Sequence, residues 1–308
     1  MIYKQSGFPV PPEKMIRVIT STDAKNEADD QYAIVQTLLS PRFDNRGIVA
    51  AHFGQEKSAA SMLDSYHEVE KLFGLMGLEP QILRKGAEHA LPDEQTPVPS
   101  EGARLIIEEA LREDARPLYV TVLGPLTDLA SACLLCPEIV GRFTAIWIGG
   151  GRYPKGGMEY NLKNDLHAAN VVMDAGLDLW QVPEDVYQQM LVSLAELRVR
   201  VKPNGAIGDY LFTQMVEWGQ TYFGKRSSLR TGECWYLGDS PVVGLMLNEH
   251  PNDYDLVPAP HIAPDMTYQP SKSEHMIRVY RRIDSRFVLE DLYAKLQLFI
   301  EEPGEMIY

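Results

Sequence analysis

Cysteine is scarce, with only Cys133, Cys136 and Cys234 in 308 residues. Three thiols cannot build a disulfide framework, and no second pair joins Cys133 and Cys136 to complete a zinc site. The two lie in the apolar run LASACLLCPEI, whose spacing predicts a helix with both thiols on one buried face. Basic charge is also short: 29 Lys and Arg against 43 Asp and Glu leave a formal net charge of −14. That balance argues against a nucleic-acid backbone or an anionic membrane as the main partner. No segment approaches the roughly 18–20 apolar residues of a bilayer span. Pro9, Pro11 and Pro12 fall where a signal peptide would carry its apolar core, so the expected compartment is the cytoplasm. The histidines include no HExxH, and GGGRYPKGG (149–157) has neither the GxxxxGK[ST] nor the GxGxxG order of a nucleotide cradle.

What is present is an ordinary globular composition, 45% hydrophobic and 23% charged. For 34.7 kDa, mass-to-area scaling gives a folded surface of about 13,000 Å². Short buried-strand patterns recur at MIRVIT (15–20), GIVAAHF (47–53), ILRKG (82–86), PLYVTVLG (117–124), FTAIWIGGG (143–151) and LDLWQVP (177–183), with helical periodicity between them. That alternation predicts an α/β fold with a mainly parallel sheet flanked by helices. Helical patterns follow at 206–223 and 241–247, then a strand at HMIRVYRR (275–282) and a helix at VLEDLYAKLQLF (288–299). No repeat or linker divides the chain, and a single domain over residues 1–308 is expected.

The segment Ser21–Asp30 follows the first strand, where open α/β sheets bind ligands. It holds Asp23, Glu27, Asp29 and Asp30, with Asn26 among them. Carboxylates this dense repel unless a cation or hydrogen-bond donors hold them, and oxygen-only ligation suits a hard cation. Asp29 and Asp30 also suit a helix start, where they complement the dipole. Ala28 and Ile34 stand where an EF-hand needs its glycine and its bidentate glutamate, which excludes that motif.

Four segments then fall in a familiar order. STDAKNEADDQYA, VLGPLTDLA (122–130), GGGRYPKGGMEYNLKNDLHAA (149–169) and GDSPVVGLML (238–247) together resemble the motifs of the inosine–uridine-type nucleoside hydrolases. The resemblance implies a Rossmann-like α/β fold and Ca²⁺-dependent hydrolysis of the N-glycosidic bond of ribonucleosides. It implies Ca²⁺ held by Asp23, Asp30, Asp239 and the backbone carbonyl of Leu123. Asp23 would also take the proton of the attacking water, Asp29 would bind the ribose 2′-hydroxyl and Asp239 the 3′-hydroxyl. Glu159 and Asn161 would fix the ribose hydroxyls, and family members are commonly homodimers or homotetramers. Asn26 joins the substrate side of the expanded loop. Trp235 and Tyr236, nearest Asp239 in a cluster with Trp218, Tyr222 and Phe223, are candidates for stacking on a base. The chemistry is consistent with these roles, since an oxocarbenium-like transition state is stabilised by nearby carboxylates.

The chain departs from the family pattern in three places. Asp29 follows Asp23 by six positions instead of the commoner four, which places Lys25, Asn26 and Glu27 in an expanded loop. Gly238 stands where many members carry a histidine that protonates the leaving base, leaving His89 and His261 as candidates. The turn after Gly151 is shorter, with Tyr153 or Lys155 at the place of an asparagine that reaches the 5′-hydroxyl. Two other functions compete with the hydrolase: a nucleoside- or sugar-binding protein without catalysis, and a metal-assisted hydrolase of another bond such as a phosphoester.

Overall fold

The computed structural model describes residues 1–4, 8–226, 232–249, 253–271, 275–301 and 305–307. IRVITST forms the strand Ile16–Thr22, buried along its whole length. Successive side chains of a strand alternate faces. Ile16 and Val18 accordingly enter one apolar layer, and Ile19 enters the other. The neighbouring strands repeat the pattern: Tyr119, Ile146 and Trp180 point to the first layer, and Val120, Trp147 and Leu179 to the second.

Eight strands pair in the order Tyr254–Pro258, Met276–Tyr280, Asp178–Val182, Thr144–Ile148, Leu118–Val122, Ile16–Thr22, Phe43–Ala50, Leu83–Lys85. Every neighbouring pair is parallel except Tyr254–Pro258 with Met276–Tyr280. Helices Asp30–Leu38, Ser61–Leu75, Gly205–Gly219, Pro241–Leu247 and Ser285–Glu301 pack on one face. Glu101–Leu111, Thr127–Leu135 and Leu166–Asp174 cover the other. The mainly parallel, helix-flanked sheet is the one the alternating pattern predicts, and the accessible surface is 13,073 Å².

Chain direction across this sheet fixes where a ligand can sit. From Ile16–Thr22 the chain moves outward through Phe43–Ala50 to Leu83–Lys85, then returns to the opposite side of Ile16–Thr22 as Leu118–Val122. Between Ile16–Thr22 and Leu118–Val122 the succession reverses, which opens a crevice at their carboxyl ends. Asp23 leaves one of these strands and Leu123 the other.

Some elements differ from the sequence expectation. The strand expected at 47–53 begins at Phe43 and ends at Ala50, because its polar start is satisfied by partners distant in sequence. Asp44 Oδ1 and the Asn45 carbonyl accept from the Met1 amine at 3.1 and 2.8 Å. Cys136 lies just past the helix Thr127–Leu135, half-buried, while Cys133 is buried within it. The antiparallel edge strand Tyr254–Pro258 and the hairpin Pro260–Ile262/Tyr268–Pro270 have no clear apolar period and went unread.

Trp147 ties the second apolar layer to the crevice. Its indole is fully buried and Nε1 donates to the Gly124 carbonyl at 3.2 Å. A Cβ on Gly149 would fall 2.4 Å from the ring, so this turn needs glycine to close over it. Trp147→Phe removes that donor, and the loss of a partner for a buried carbonyl should cost about 1–3 kcal/mol. A urea titration should show a lower midpoint with an unchanged slope.

Candidate functional site

One cavity at the crevice is lined by Asp23, Asp29, Asp30, Leu123, Glu159, Asn161, Trp235, Tyr236 and Asp239, together with Glu27, Ile148, Tyr160, Tyr187 and Gly238. Nine sequence-derived candidates, from four separate stretches of chain, therefore meet at one place. Asp29 and Asp30 arrive as the N-cap and first residue of the helix Asp30–Leu38. Asp239 precedes the helix Pro241–Leu247 by two residues. A Cβ on Gly124 would lie 2.8 Å from Cγ of Asp23, so glycine lets the two strand ends approach around that carboxylate.

The acids are buried against one another. Among the described residues, carboxylate oxygens of Asp29, Asp30 and Asp239 lie within 4.8 Å of one another. Burial pushes the Asp23 carboxyl well above its ordinary range and the Asp30 charge adds to this, while Lys57 opposes both. Asp30 is raised to about 6, chiefly by burial, against the hydrogen bond from Thr22 Oγ1 at 2.5 Å. Asp239 is raised well above its usual value by burial and then by the charges of Asp30 and Asp29. Asp23 Oδ2 is buried without a hydrogen-bond partner among the described residues. An orphaned acceptor amid crowded carboxylates and an oxygen-only donor set is compatible with a metal ion.

Glu159 and Asn161 hold the opposite wall. Glu159 caps the short helix Tyr160–Asn164, accepting from Asn161 N at 3.2 Å and Leu162 N at 3.0 Å. It also accepts from Gly150 N at 2.8 Å and the Tyr187 hydroxyl at 3.1 Å, so both of its oxygens already carry two protein donors. The Asn161 amide donates to the Leu123 carbonyl at 2.8 Å and to that of Ile148 at 2.9 Å. A carbonyl has two lone pairs, so Leu123 can accept this bond and still face a cation.

Asn26 is a sequence candidate that the cavity wall does not include. Its carbonyl and Oδ1 accept from Lys57 Nζ, and its carbonyl also accepts from Trp218 Nε1 at 3.1 Å. The expanded loop is tied down throughout: Ala24 O accepts from Gln31 at 2.6 Å and Ala28 O from Gln214 at 2.9 Å. Lys25 pairs with Glu68 at 2.7 Å. His89, His261, Tyr153 and Lys155 are likewise absent from the wall. Sequence reasoning missed Tyr187, Tyr160 and Lys57. Tyr160, inside the recognised EYN, carried the only signal that could have found it.

Sign and window of a pH effect follow from the raised carboxyls. In the folded chain they keep protons that the unfolded chain has lost. Metal-free stability therefore falls as pH rises from about 4, the unfolded value, through about 6, the Asp30 value. A divalent cation needs the ionised forms. Calcium at a hundredfold excess over its Kd should add about 2–3 kcal/mol at pH 7.5. The rise in melting temperature should be smaller at pH 5 and should shrink at both values in Asp239→Asn. Equal calcium shifts at the two pH values would count against a carboxylate site.

The chain matches the family model described as inosine-uridine preferring nucleoside hydrolase over residues 9–289. The non-specific ribonucleoside hydrolase RihC of Salmonella typhi is 26% identical over 197 residues, 58% of this chain and 64% of that protein. An uncharacterized protein of Schizosaccharomyces pombe is 28% identical over 105 residues, 32% of this chain and 34% of that protein. The chain thus spans about a third of one of these curated relatives and slightly less than two thirds of the other. The structure of a purine-preferring ribonucleoside hydrolase from Gardnerella vaginalis superposes with a TM-score of 0.73 at 18% identity. The match covers 91% of this chain and 98% of that one, a likeness of fold.

Proposed function

The chain belongs to the inosine-uridine preferring nucleoside hydrolase family, and on that premise we propose that it hydrolyses the N-glycosidic bond of ribonucleosides, or related N-ribosides, in a calcium-dependent reaction. The observation that carries this is the buried, unpartnered Oδ2 of Asp23 beside three mutually close carboxylates at the switch point of the sheet. Asp23, Asp30, Asp239 and the Leu123 carbonyl would hold calcium, whose charge when bound polarises ribose hydroxyls and water.

Each step then belongs to a side chain. Asp23 accepts the proton of the attacking water as general base. Asp29 accepts from the 2′-hydroxyl and Asp239 from the 3′-hydroxyl. Glu159 braces Asn161, whose side-chain oxygen would take the remaining ribose contact. Positive charge that builds on the ribosyl ring is stabilised by the surrounding carboxylates. Trp235 and Tyr236 offer the faces on which a base stacks. Asn26, clamped by Lys57, positions the expanded loop.

Cationic residues argue against the phosphoester reading. Arg152 pairs with Asp185 at 3.3 Å and Lys25 with Glu68. No lysine or arginine is among the described residues of the cavity wall, although phosphoryl transfer needs such clamps. Retention of the whole acid cluster speaks against a binder without catalysis. We read residues 1–308 as one catalytic unit. We place it in the cytoplasm as the homodimer or homotetramer that the family resemblance suggests, an assembly that sedimentation would measure. The net charge of −14 supports a small-molecule partner over a polyanion.

Reducing-sugar release from a panel of ribonucleosides, 5′-modified ones included, tests the activity with calcium and with EDTA. Release should require calcium, and Asp23→Asn should lower it by about 10²–10⁴-fold. No release from any nucleoside by protein that has bound calcium would sink the assignment.

A further inference from the structure

Two residues of the cavity wall keep a buried polar atom with no hydrogen-bond partner among the described residues: Oδ2 of Asp23 and the hydroxyl of Tyr160. The first is an acceptor when ionised and the second is a donor. The two do not bond to each other. An unpaired buried hydroxyl costs stability, and a phenylalanine would avoid that cost. Its presence in the wall of a substrate cavity points to a partner that the substrate supplies.

Two other donors on the wall are engaged. The Tyr187 hydroxyl donates to Glu159, and the Asn161 amide donates to two carbonyls. No histidine is among the described wall residues. Tyr160 also stands where two surfaces meet. Its chain neighbour Asn161 reaches Leu123 on the acidic floor. Its ring, with those of Trp218 and Phe223, faces Lys57 Nζ at 4.6, 5.4 and 5.6 Å. Trp218 in turn packs edge-on against Trp235, 5.5 Å between centroids. Tyr160 therefore lies between the carboxylates suited to the sugar and the aromatics suited to a base.

We propose that the Tyr160 hydroxyl contacts the leaving base and gives it the proton with which it departs, an inference that rests on the N-ribosyl hydrolase reading. As the glycosidic C–N bond opens, its electron pair passes to the base nitrogen, which takes the phenolic proton. The Lys57 ammonium over the ring favours the phenolate that remains, against burial and the charges of Asp23, Glu56 and Glu27, which push the phenol up. Water adds its oxygen to the ribosyl carbon and its proton goes to Asp23. That proton returns to Tyr160 through solvent, so one water is consumed, and ribose and neutral base are formed.

The test compares wild type, Tyr160→Phe and Tyr236→Phe on nucleosides and on 4-nitrophenyl β-D-ribofuranoside, whose leaving group departs without a proton. Tyr160→Phe should melt no lower than wild type, since it removes a hydroxyl without a hydrogen-bond partner among the described residues. It should lose about 100-fold or more in kcat/KM on nucleosides, while the nitrophenyl riboside is cleaved within a few-fold of wild type. Equal losses on both substrates, no loss on either, or a leaving-group-dependent loss in Tyr236→Phe alone would overturn the inference. Wild-type turnover with an unaffected Tyr160→Phe sinks this inference only. A wild type that cleaves neither substrate class with calcium sinks the hydrolase reading, and the role of Tyr160 falls with it.

Discussion

Asp23, Asp30 and Asp239 each lie out of water and within electrostatic reach of another carboxylate. Such an arrangement opposes folding twice, through desolvation and through like-charge repulsion. Two layers of apolar side chains must supply the offsetting free energy. They do so through strands whose residues are buried on both faces, as Ile16–Thr22 is along its length. The central place of that strand follows from this requirement, because an edge strand could not carry a cluster of this cost into the interior.

A scaffold that stores repulsion must also prevent its relief by movement. The loop that bears Asp23, Asp29 and Asp30 has three backbone carbonyls held by side chains: Ala24 by Gln31, Asn26 by Lys57 and Trp218, Ala28 by Gln214. Gln214 and Trp218 belong to the helix Gly205–Gly219, and Lys57 lies in the loop between the strand Phe43–Ala50 and the helix Ser61–Leu75. Insertion of residues into the Asp-rich turn is thus accommodated by anchors from distant parts of the chain. The acids keep their places while the loop between them lengthens.

Much of this was legible in the sequence, for reasons that can be named. Strands buried on both faces are largely apolar runs, which is why MIRVIT and PLYVTVLG announce themselves. The acids were legible because four carboxylates in so short a segment have few structural uses. Asn26 was misleading: its position in the acid loop suggested substrate, but its side chain faces a lysine from another element. No local pattern encodes such a pairing. The polar start of Phe43–Ala50 was hidden for the same reason, since Asp44 and Asn45 are satisfied by the Met1 amine. Tyr187 was unreadable because its role depends on meeting Glu159 across 28 residues.

Gly238 shows how these long-range pairings decide what a site can contain. Its N–H donates to Asp29 Oδ2 at 2.9 Å, so the backbone here helps to orient an acid. A Cβ at this position would lie 3.1 Å from Cδ2 of Tyr187 and would press on that ring. Tyr187 holds Glu159, Glu159 caps the turn that begins at Tyr160, and Asn161 in that turn holds the Leu123 carbonyl. A side chain at 238 therefore requires the Tyr187 ring, the first of a series of contacts that ends on the acidic floor, to give by a few tenths of an ångström. A histidine there would need a different wall opposite it. In this chain the ring of Tyr187 lies against that position. The same series of contacts sets the place of Tyr160, whose hydroxyl has no hydrogen-bond partner among the described residues.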